Sequence, residues 1–393
     1  MVNGEMIEST LAINLSGRVD SSTSCKVEEE IFDLINENKP NKIIFEAKDL
    51  EYISSAGLRV LLKVIKSTEE KIVMRNVNST VGDILHVTGF NTLMKVERAL
   101  REVSIDGCKI IGKGASATVY RLDEDTIIKV YTDRTSFEEI EKERKLAQAA
   151  FLLGVPTAIT YDIVKVNDNY GIIFELIKAK TLSSLIAQDP IKYGTIFGKL
   201  LKQIHTTKVD TNKITSTKDT YKWYIDEISS RITKEEENKF KDFIDSIPDR
   251  DTMIHGDYHT SNVMLQNDEP ILIDMGDIGY GHPIFDLGGV YSALVLAAKM
   301  RPEILMQYHG LSPDDALKAY DGFIKGYFET EDKDKIEQVN KVLGSYAMLK
   351  ALMGIVQGKD LPEEVKTGLV EDLRKHFFPI MDQIGDELTS LDI

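Results

Sequence analysis

The chain has 393 residues, more than one ordinary core accommodates, so two or three domains are the starting expectation. Hydrophobic residues make up 42% and charged residues 28%, a globular balance that excludes wholesale disorder. A formal charge of −16 without a local basic patch disfavours nucleic acid and anionic lipid, and two cysteines, Cys25 and Cys108, are too few for a disulfide framework or a thiolate metal site. The opening MVNGEMIEST has no basic stretch followed by an apolar run, and no 18 consecutive residues are uninterruptedly apolar. A cytoplasmic protein that spans no membrane is the expectation.

The first hundred residues alternate strand and helix signals. LAINLSG (Leu11–Gly17) alternates apolar and polar residues as a strand does, and Asp20, Ser21 and Ser22 offer N-caps for a helix through VEEEIFDLINEN. KIIFEA (Lys42–Ala47) predicts a buried strand, Ser54–Ser67 a helix with a hydroxyl start, EKIVMRNV a strand, and STVGDILHVTGFNTLM one more helix. Strands separated by three helices make a small, largely parallel α/β sheet with helices packed on it. Near Arg101–Asp106 the pattern changes. CKIIGKGASATVYRLDEDTIIKVY predicts an antiparallel meander, Ser136–Leu153 a charged helix, and YDIVKVNDNYGIIFELI two further strands. Beyond Thr181 the chain is mostly helical, interrupted by a strand-and-loop stretch at Met253–Asp274. The boundaries are therefore 1–103 for an α/β domain and 104–393 for an α+β two-lobed domain, with an N-lobe over about 104–180 and a helical C-lobe over about 181–393. Residues 1–105 carry 13 bases against 16 acids, so −13 of the −16 belongs to the second domain.

Phosphoryl transfer needs a backbone cradle for phosphates, a cation on them, hard ligands for Mg²⁺ and a carboxylate near the attacking hydroxyl. The second domain supplies these in one order. Gly112-Lys113-Gly114-Ala115-Ser116 lies between two strand signals, where glycines let backbone N–H groups approach phosphate. A hairpin that needs glycine is the competing reading of that stretch alone. Lys129 follows inside the apolar strand Ile127–Val130, suited to α- and β-phosphate contact, and the helix EEIEKERKLAQ offers it Glu143, or else Glu139 or Glu141. In MIHGDYHTSNVMLQNDEPILID, Asn262 follows Asp257 by five residues, and Asp274 ends a second apolar strand. That is the kinase catalytic layout, with Asp257 at the hydroxyl proton and Asn262 and Asp274 as oxygen ligands for Mg²⁺.

HGDYHTSN and IDMGD resemble the catalytic and metal motifs of the aminoglycoside phosphotransferase and choline kinase superfamily, over about Asp106 to Phe378. The resemblance implies a protein-kinase-like fold and ATP or GTP as donor with Mg²⁺. It also implies a nucleotide-binding hinge near Phe174–Ile177 that includes Glu175 and Ile177, structural roles for His255 and Asp286, and an acceptor held by the C-lobe. Only 11 positions separate Asp274 from Phe285, too few for the long activation segment of regulated protein kinases, which favours a small-molecule acceptor. LSGRVDSSTS, IIFEAKDLEYISSAGLRVLLKVI and VTGFNTLMKV resemble the STAS domain of bacterial anti-sigma-factor antagonists, over about Ile7–Leu100. That resemblance implies a protein-binding module whose phosphorylatable serine opens a helix, here Ser55, where a dianion meets free N–H groups. Ser54 stands where such domains usually carry Asp. The combined expectation is a phosphotransferase acting on the hydroxyl of an aminoglycoside-, amino-alcohol- or sugar-like molecule. A protein kinase or nucleotide sensor acting on Ser55 in partner switching is the alternative.

Overall fold

The computed structural model describes residues 2–388 apart from 69, 115, 359–360, 382 and 385–387. It forms two compact units, Met1–Val103 and Ser104–Ile393.

In the first unit five strands lie in sequence order: β1 (Val2–Ile7), β2 (Thr10–Val19), β3 (Lys42–Ile53), β4 (Val73–Val77) and β5 (Lys95–Arg98). Only β1–β2 is antiparallel. Helices α1 (Ser24–Asn38), α2 (Ser55–Lys66), α3 (Ser79–Val87) and α4 (Phe90–Leu93) supply the crossovers. Alternation along β2 sends Leu11, Ile13 and Leu15 into the core, and α2 adds Leu58, Leu61 and Val64 at helical spacing. Three local readings change. Thr23, not Asp20, Ser21 or Ser22, is the N-cap of α1, because the Asp20 carboxylate is engaged by Ser22 N–H and hydroxyl in a turn of its own. The single helix over 79–94 is two, since Gly89 takes φ +78° between α3 and α4. Edge strands β1 and β5 are not marked by the sequence pattern, for their exposed residues carry little alternation.

The second unit opens with an antiparallel sheet of order β6-β7-β8-β10-β9: β6 (Lys109–Lys113), β7 (Ala117–Arg121), β8 (Thr126–Tyr131), β9 (Thr160–Val166) and β10 (Asn169–Glu175). Helix α5 (Phe137–Leu152) lies between β8 and β9, started by a Ser136–Glu139 capping box. The helical lobe then runs through β11 (Lys180–Thr181), α6 (Leu182–Ile186), α7 (Pro190–Thr206), α8 (Thr217–Glu227) and α9 (Lys234–Ser246). Short strands β12 (Met253–Ile254), β13 (Val263–Gln266), β14 (Glu269–Leu272) and β15 (Gly279–Tyr280) carry the loops of interest. Beyond them come α10 (Ile284–Tyr291), α11 (Ala297–Met300), α12 (Pro302–His309), α13 (Pro313–Phe328), α14 (Lys333–Tyr346), α15 (Lys350–Gln357) and α16 (Glu363–Asp372).

Helices α7 and α13 meet backbone to backbone. A Cβ on Gly194 or Gly198 would lie 2.0 or 2.3 Å from the carbonyls of Ala319 or Phe323, and Gly322 and Gly326 meet α7 in the same way. Paired G-x-x-x-G spacings thus allow a close approach that fixes Phe197 and His205 beneath the loop after β12. The helical stretch Lys333–Gln357 is long and apolar enough to cross a membrane by length and composition. Its Val339, Leu343, Tyr346, Leu349 and Leu352 are nonetheless buried in the C-lobe core.

Candidate active site

Lys129 leaves β8 with its stem buried and its ammonium on two carboxylates, Glu143 Oε1 of α5 at 2.8 Å and Asp274 Oδ1 at 3.0 Å. Burial alone would pull its pKa down, but Asp274 and Glu143 outweigh that and the net shift is upward, so the cation is firmly held. Of the three candidate glutamates, Glu139 closes the α5 capping box and Glu141 pairs with Lys145, which leaves Glu143 for Lys129. Gly276 packs against the Glu143 side chain, where a Cβ would lie 3.4 Å from Glu143 Cγ. Asp274 has φ +62°, a strained conformation for a residue with a side chain, and its carboxylate is exposed.

The loop after β12 is built on Asp286 at the start of α10. This fully buried carboxylate accepts His255 N–H on Oδ2 (2.7 Å) and Gly256 N–H on Oδ1 (2.8 Å), and His205 Nε2–H donates to Oδ2 at 3.0 Å. Tyr327 hydroxyl lies 2.7 Å from His205 Nδ1 and completes the chain. Burial would push Asp286 up, yet the hydrogen bonds and nearby imidazoles hold it below the usual carboxylate range. His255 Nδ1 accepts Asp257 N–H at 3.3 Å, and burial lowers the pKa of this ring, keeping it neutral. Gly256 adopts φ +83°, and a Cβ there would sit 2.3 Å from Asp277 O, so only glycine fits. Tyr258 stacks on Phe197 with centroids 4.3 Å apart and donates to its carbonyl at 2.8 Å, anchoring the loop to α7.

These braces present Asp257. Lys350 Nζ meets its Oδ1 at 2.8 Å, while His259 Nε2 stands 3.5 Å from Oδ2. Burial pushes this carboxyl up, but Lys350 and His259 overcome it, so the group is held well below its ordinary range and stays ionised. Asn262 spends Nδ2 on Asp257 O (3.1 Å), leaving Oδ1 as the atom that could hold a cation. In the β13–β14 hairpin Val263 pairs with Leu272, and Ile273 N–H donates to Asn262 O at 2.9 Å, so Asn262 and Asp274 emerge at the same end. An amide oxygen and one carboxylate are hard donors that fit Mg²⁺ with phosphate and water as its remaining ligands. Among the described residues no group of three or more His, Cys, Asp or Glu side chains could hold a metal by itself.

At the glycine-containing turn, Gly114 N–H donates to Ala117 O and Thr132 N–H to Ser116 O, both at 2.9 Å, holding the β6–β7 loop; Ala115 lies outside the described residues. Neither Gly112 nor Gly114 has a left-handed backbone, and a Cβ on either would meet only ordinary contacts at 3.6 and 3.7 Å. The protein's own packing therefore does not demand these glycines. Glu175 N–H donates to Ile159 O and Leu176 N–H to Asp125 O, fastening the end of β10; Ile177 follows, half-buried.

Three contributors are not apparent from the sequence: Lys350, His205 and Gln357, the last donating to Asp277 (3.1 Å) and to Tyr224 hydroxyl (2.9 Å). Asp277 lies beside Asp257, and burial followed by that neighbour raises its pKa. Tyr221 packs on Phe285, while Trp223 stays half-exposed. Asp226 is bound to Lys241 on the surface. In the first unit Ser54 caps α2, accepting from Ala56 and Gly57 N–H, and Ser55 is exposed in its first turn.

Comparison with known proteins matches residues 107–322 to the phosphotransferase enzyme family (APH) and residues 2–103 to the STAS domain. A Bordetella bronchiseptica protein described as "Putative anti-sigma factor antagonist BtrV" is 27% identical over 95 residues, 23% of this chain and 81% of that protein. Among solved structures, a choline/ethanolamine kinase family protein from Mesorhizobium loti has a TM-score of 0.47 at 13% identity, covering 72% of this chain and 92% of that one. The streptomycin-ATP-APH(2")-IIa ternary complex has a TM-score of 0.45 at 15% identity, covering 78% and 98%. With more than half of its length matched, the chain belongs to the phosphotransferase enzyme family, as a transferase of phosphoryl groups to hydroxyl acceptors that carries an N-terminal STAS domain.

Proposed function

We propose that the second unit transfers the γ-phosphoryl group of ATP or GTP to a hydroxyl of a small aminoglycoside-, amino-alcohol- or sugar-like molecule, in the cytoplasm, with the STAS unit serving regulation or partner binding. The observation that carries this reading is the junction at Lys129, whose one ammonium joins β8, α5 and Asp274, two residues past β14, so cradle, helix and metal side meet at one cation. Gly112, Gly114 and Ser116 then lie along the phosphates, consistent with glycines that the protein's packing does not require. Glu175 and Ile177 border the base. Asn262 and Asp274 would hold Mg²⁺, which neutralises phosphate charge when bound.

Asp257, ionised and fixed by its loop, accepts a hydrogen bond from the acceptor hydroxyl, aligns its oxygen for attack and takes up its proton as the bond forms. The short segment between Asp274 and α10 supports a compact acceptor. A second reading rests on Ser55, an exposed hydroxyl in the first turn of α2, as acceptor in this or another copy of the chain. A transfer screen with ATP, GTP and Mg²⁺ against amino alcohols, sugars and aminoglycosides, read by mass, separates the two. Phosphate on an added alcohol upholds the small-molecule reading; phosphate on Ser55 and on no added compound replaces it.

A further inference from the structure

Helix α15 contributes to the site from outside the region that matches the phosphotransferase family, which ends at residue 322. It begins after a 3₁₀ turn over Ala347–Leu349, and Lys350 is the one charged residue in the run Ala347–Gln357. Leu352 and Ile355 bury one side of this helix, and Lys350, Met353 and Gln357, at i, i+3 and i+7, share another. That second side meets the catalytic loop. Lys350 Nζ donates to Asp257 Oδ1 (2.8 Å), to Gly256 O (3.1 Å) and to Met353 Sδ (2.8 Å), so its three protons are all engaged. Its stem crosses Gly289 of α10, where a Cβ would come within 3.8 Å of Lys350 Cδ. Gln357, two turns on, ties the same side to Asp277 and Tyr224.

We propose that Lys350 is a positioning residue of the transfer reaction, gripping Asp257 by Oδ1 and Gly256 by its carbonyl so that Oδ2 is presented to the acceptor hydroxyl. A carboxylate held at one oxygen cannot rotate away when its other oxygen takes the acceptor proton. The partner on the second oxygen is the more distant His259, at 3.5 Å, which an incoming hydroxyl displaces at little cost. The bidentate grip on side chain and backbone distinguishes this lysine from a surface counter-ion, because it fixes both the carboxylate and the peptide before it. The inference rests on Asp257 as the carboxylate that receives the hydroxyl.

The test uses the full-length chain with Mg²⁺ and ATP, following transfer to the acceptor found by screening or, without one, ADP release with water as acceptor. Lys350→Met, Lys350→Arg and Asp257→Asn are compared with the parent for kcat, KM for ATP, ADP affinity and urea midpoint. Lys350→Met is expected to lose about 10²-fold in kcat with KM for ATP and ADP affinity within about threefold, the scale of a catalytic group misplaced by roughly 1 Å. Lys350→Arg, which keeps a cation able to pair with the Asp257 carboxylate, is expected to recover at least about tenfold of that loss. If Lys350→Met keeps kcat within about threefold while Asp257→Asn is inactive, the role of Lys350 is wrong and that of Asp257 stands. If both lysine variants fail equally and share a lowered urea midpoint, the residue is only structural and the proposal falls. If Asp257→Asn is fully active, the reading of Asp257 fails and this inference fails with it.

Discussion

Replacing Asp286 with alanine removes the acceptor for three buried donors at once: His255 N–H, Gly256 N–H and His205 Nε2–H. Each orphaned donor costs about 1–3 kcal/mol, and the relief from no longer burying a carboxylate offsets part of the sum. A net loss of roughly 3–5 kcal/mol follows. The protein offers a clean reporter, because its single tryptophan, Trp223, lies on α8 of the second unit and is half-exposed. Urea unfolding followed by its fluorescence therefore reads the phosphotransferase unit without a signal from the STAS unit. With a urea slope of about 3 kcal/mol/M, Asp286→Ala moves the midpoint down by roughly 1–1.7 M. Asp286→Asn keeps one acceptor oxygen but turns an N–H toward a donor, and falls between the two. A midpoint shift below about 0.3 M for the alanine variant refutes the claim that this carboxylate holds the loop.

Gly256→Ala places a Cβ against Asp277 O and forces a residue with φ +83° to carry a side chain, so the loop shifts and transfer drops about 10²-fold with nucleotide affinity kept. Steady-state kinetics beside calorimetric ADP binding check it. His282 is buried and accepts Ile284 N–H on Nδ1, and burial, followed by the positive charge of Arg250, lowers its pKa to about 4. Its folded pKa lies below the unfolded value of about 6.5, so the unfolded chain binds the extra proton and stability is lost as pH falls through 6.5 toward 4. Between pH 7 and 5 that amounts to about 2 kcal/mol, and His282→Asn flattens this part of the urea-midpoint profile. Lys129→Met leaves Glu143 and Asp274 without their shared cation and weakens nucleotide binding by about 10- to 100-fold, measured by calorimetry with ADP and Mg²⁺.

What can be read from the chain is what is local in it. HGDYHTSN and IDMGD sit in loops whose chemistry is set within a few residues, and Lys129 is legible because a lone cation interrupts an apolar strand. The brace on Asp286 is half legible: the aspartate opens a helix, but its imidazole partner His205 lies 81 positions earlier on α7. Lys350 stands 93 positions beyond Asp257, and only the fold of the C-lobe unites them. A signal for it exists, since one lysine between Leu349 and Ala351 breaks an otherwise apolar run. The G-x-x-x-G spacings Gly194–Gly198 and Gly322–Gly326 are likewise visible, although nothing local says that the two helices face each other. Periodicity locates the central STAS strands and fails at the edges β1 and β5, where one-sided burial is weak. It also merges α3 with α4, because a glycine at a helix end looks the same in sequence as one tolerated inside.

The central claim is that Asp257 receives the acceptor proton during phosphoryl transfer. Single-turnover transfer from γ-labelled ATP, with saturating Mg²⁺ and nucleotide, tests it most directly in the parent and in Asp257→Ala at matched occupancy. The expected result is a transfer rate lowered by about 10²–10⁴-fold with ADP affinity unchanged. A rate within about threefold of the parent contradicts it and moves the catalytic carboxylate elsewhere.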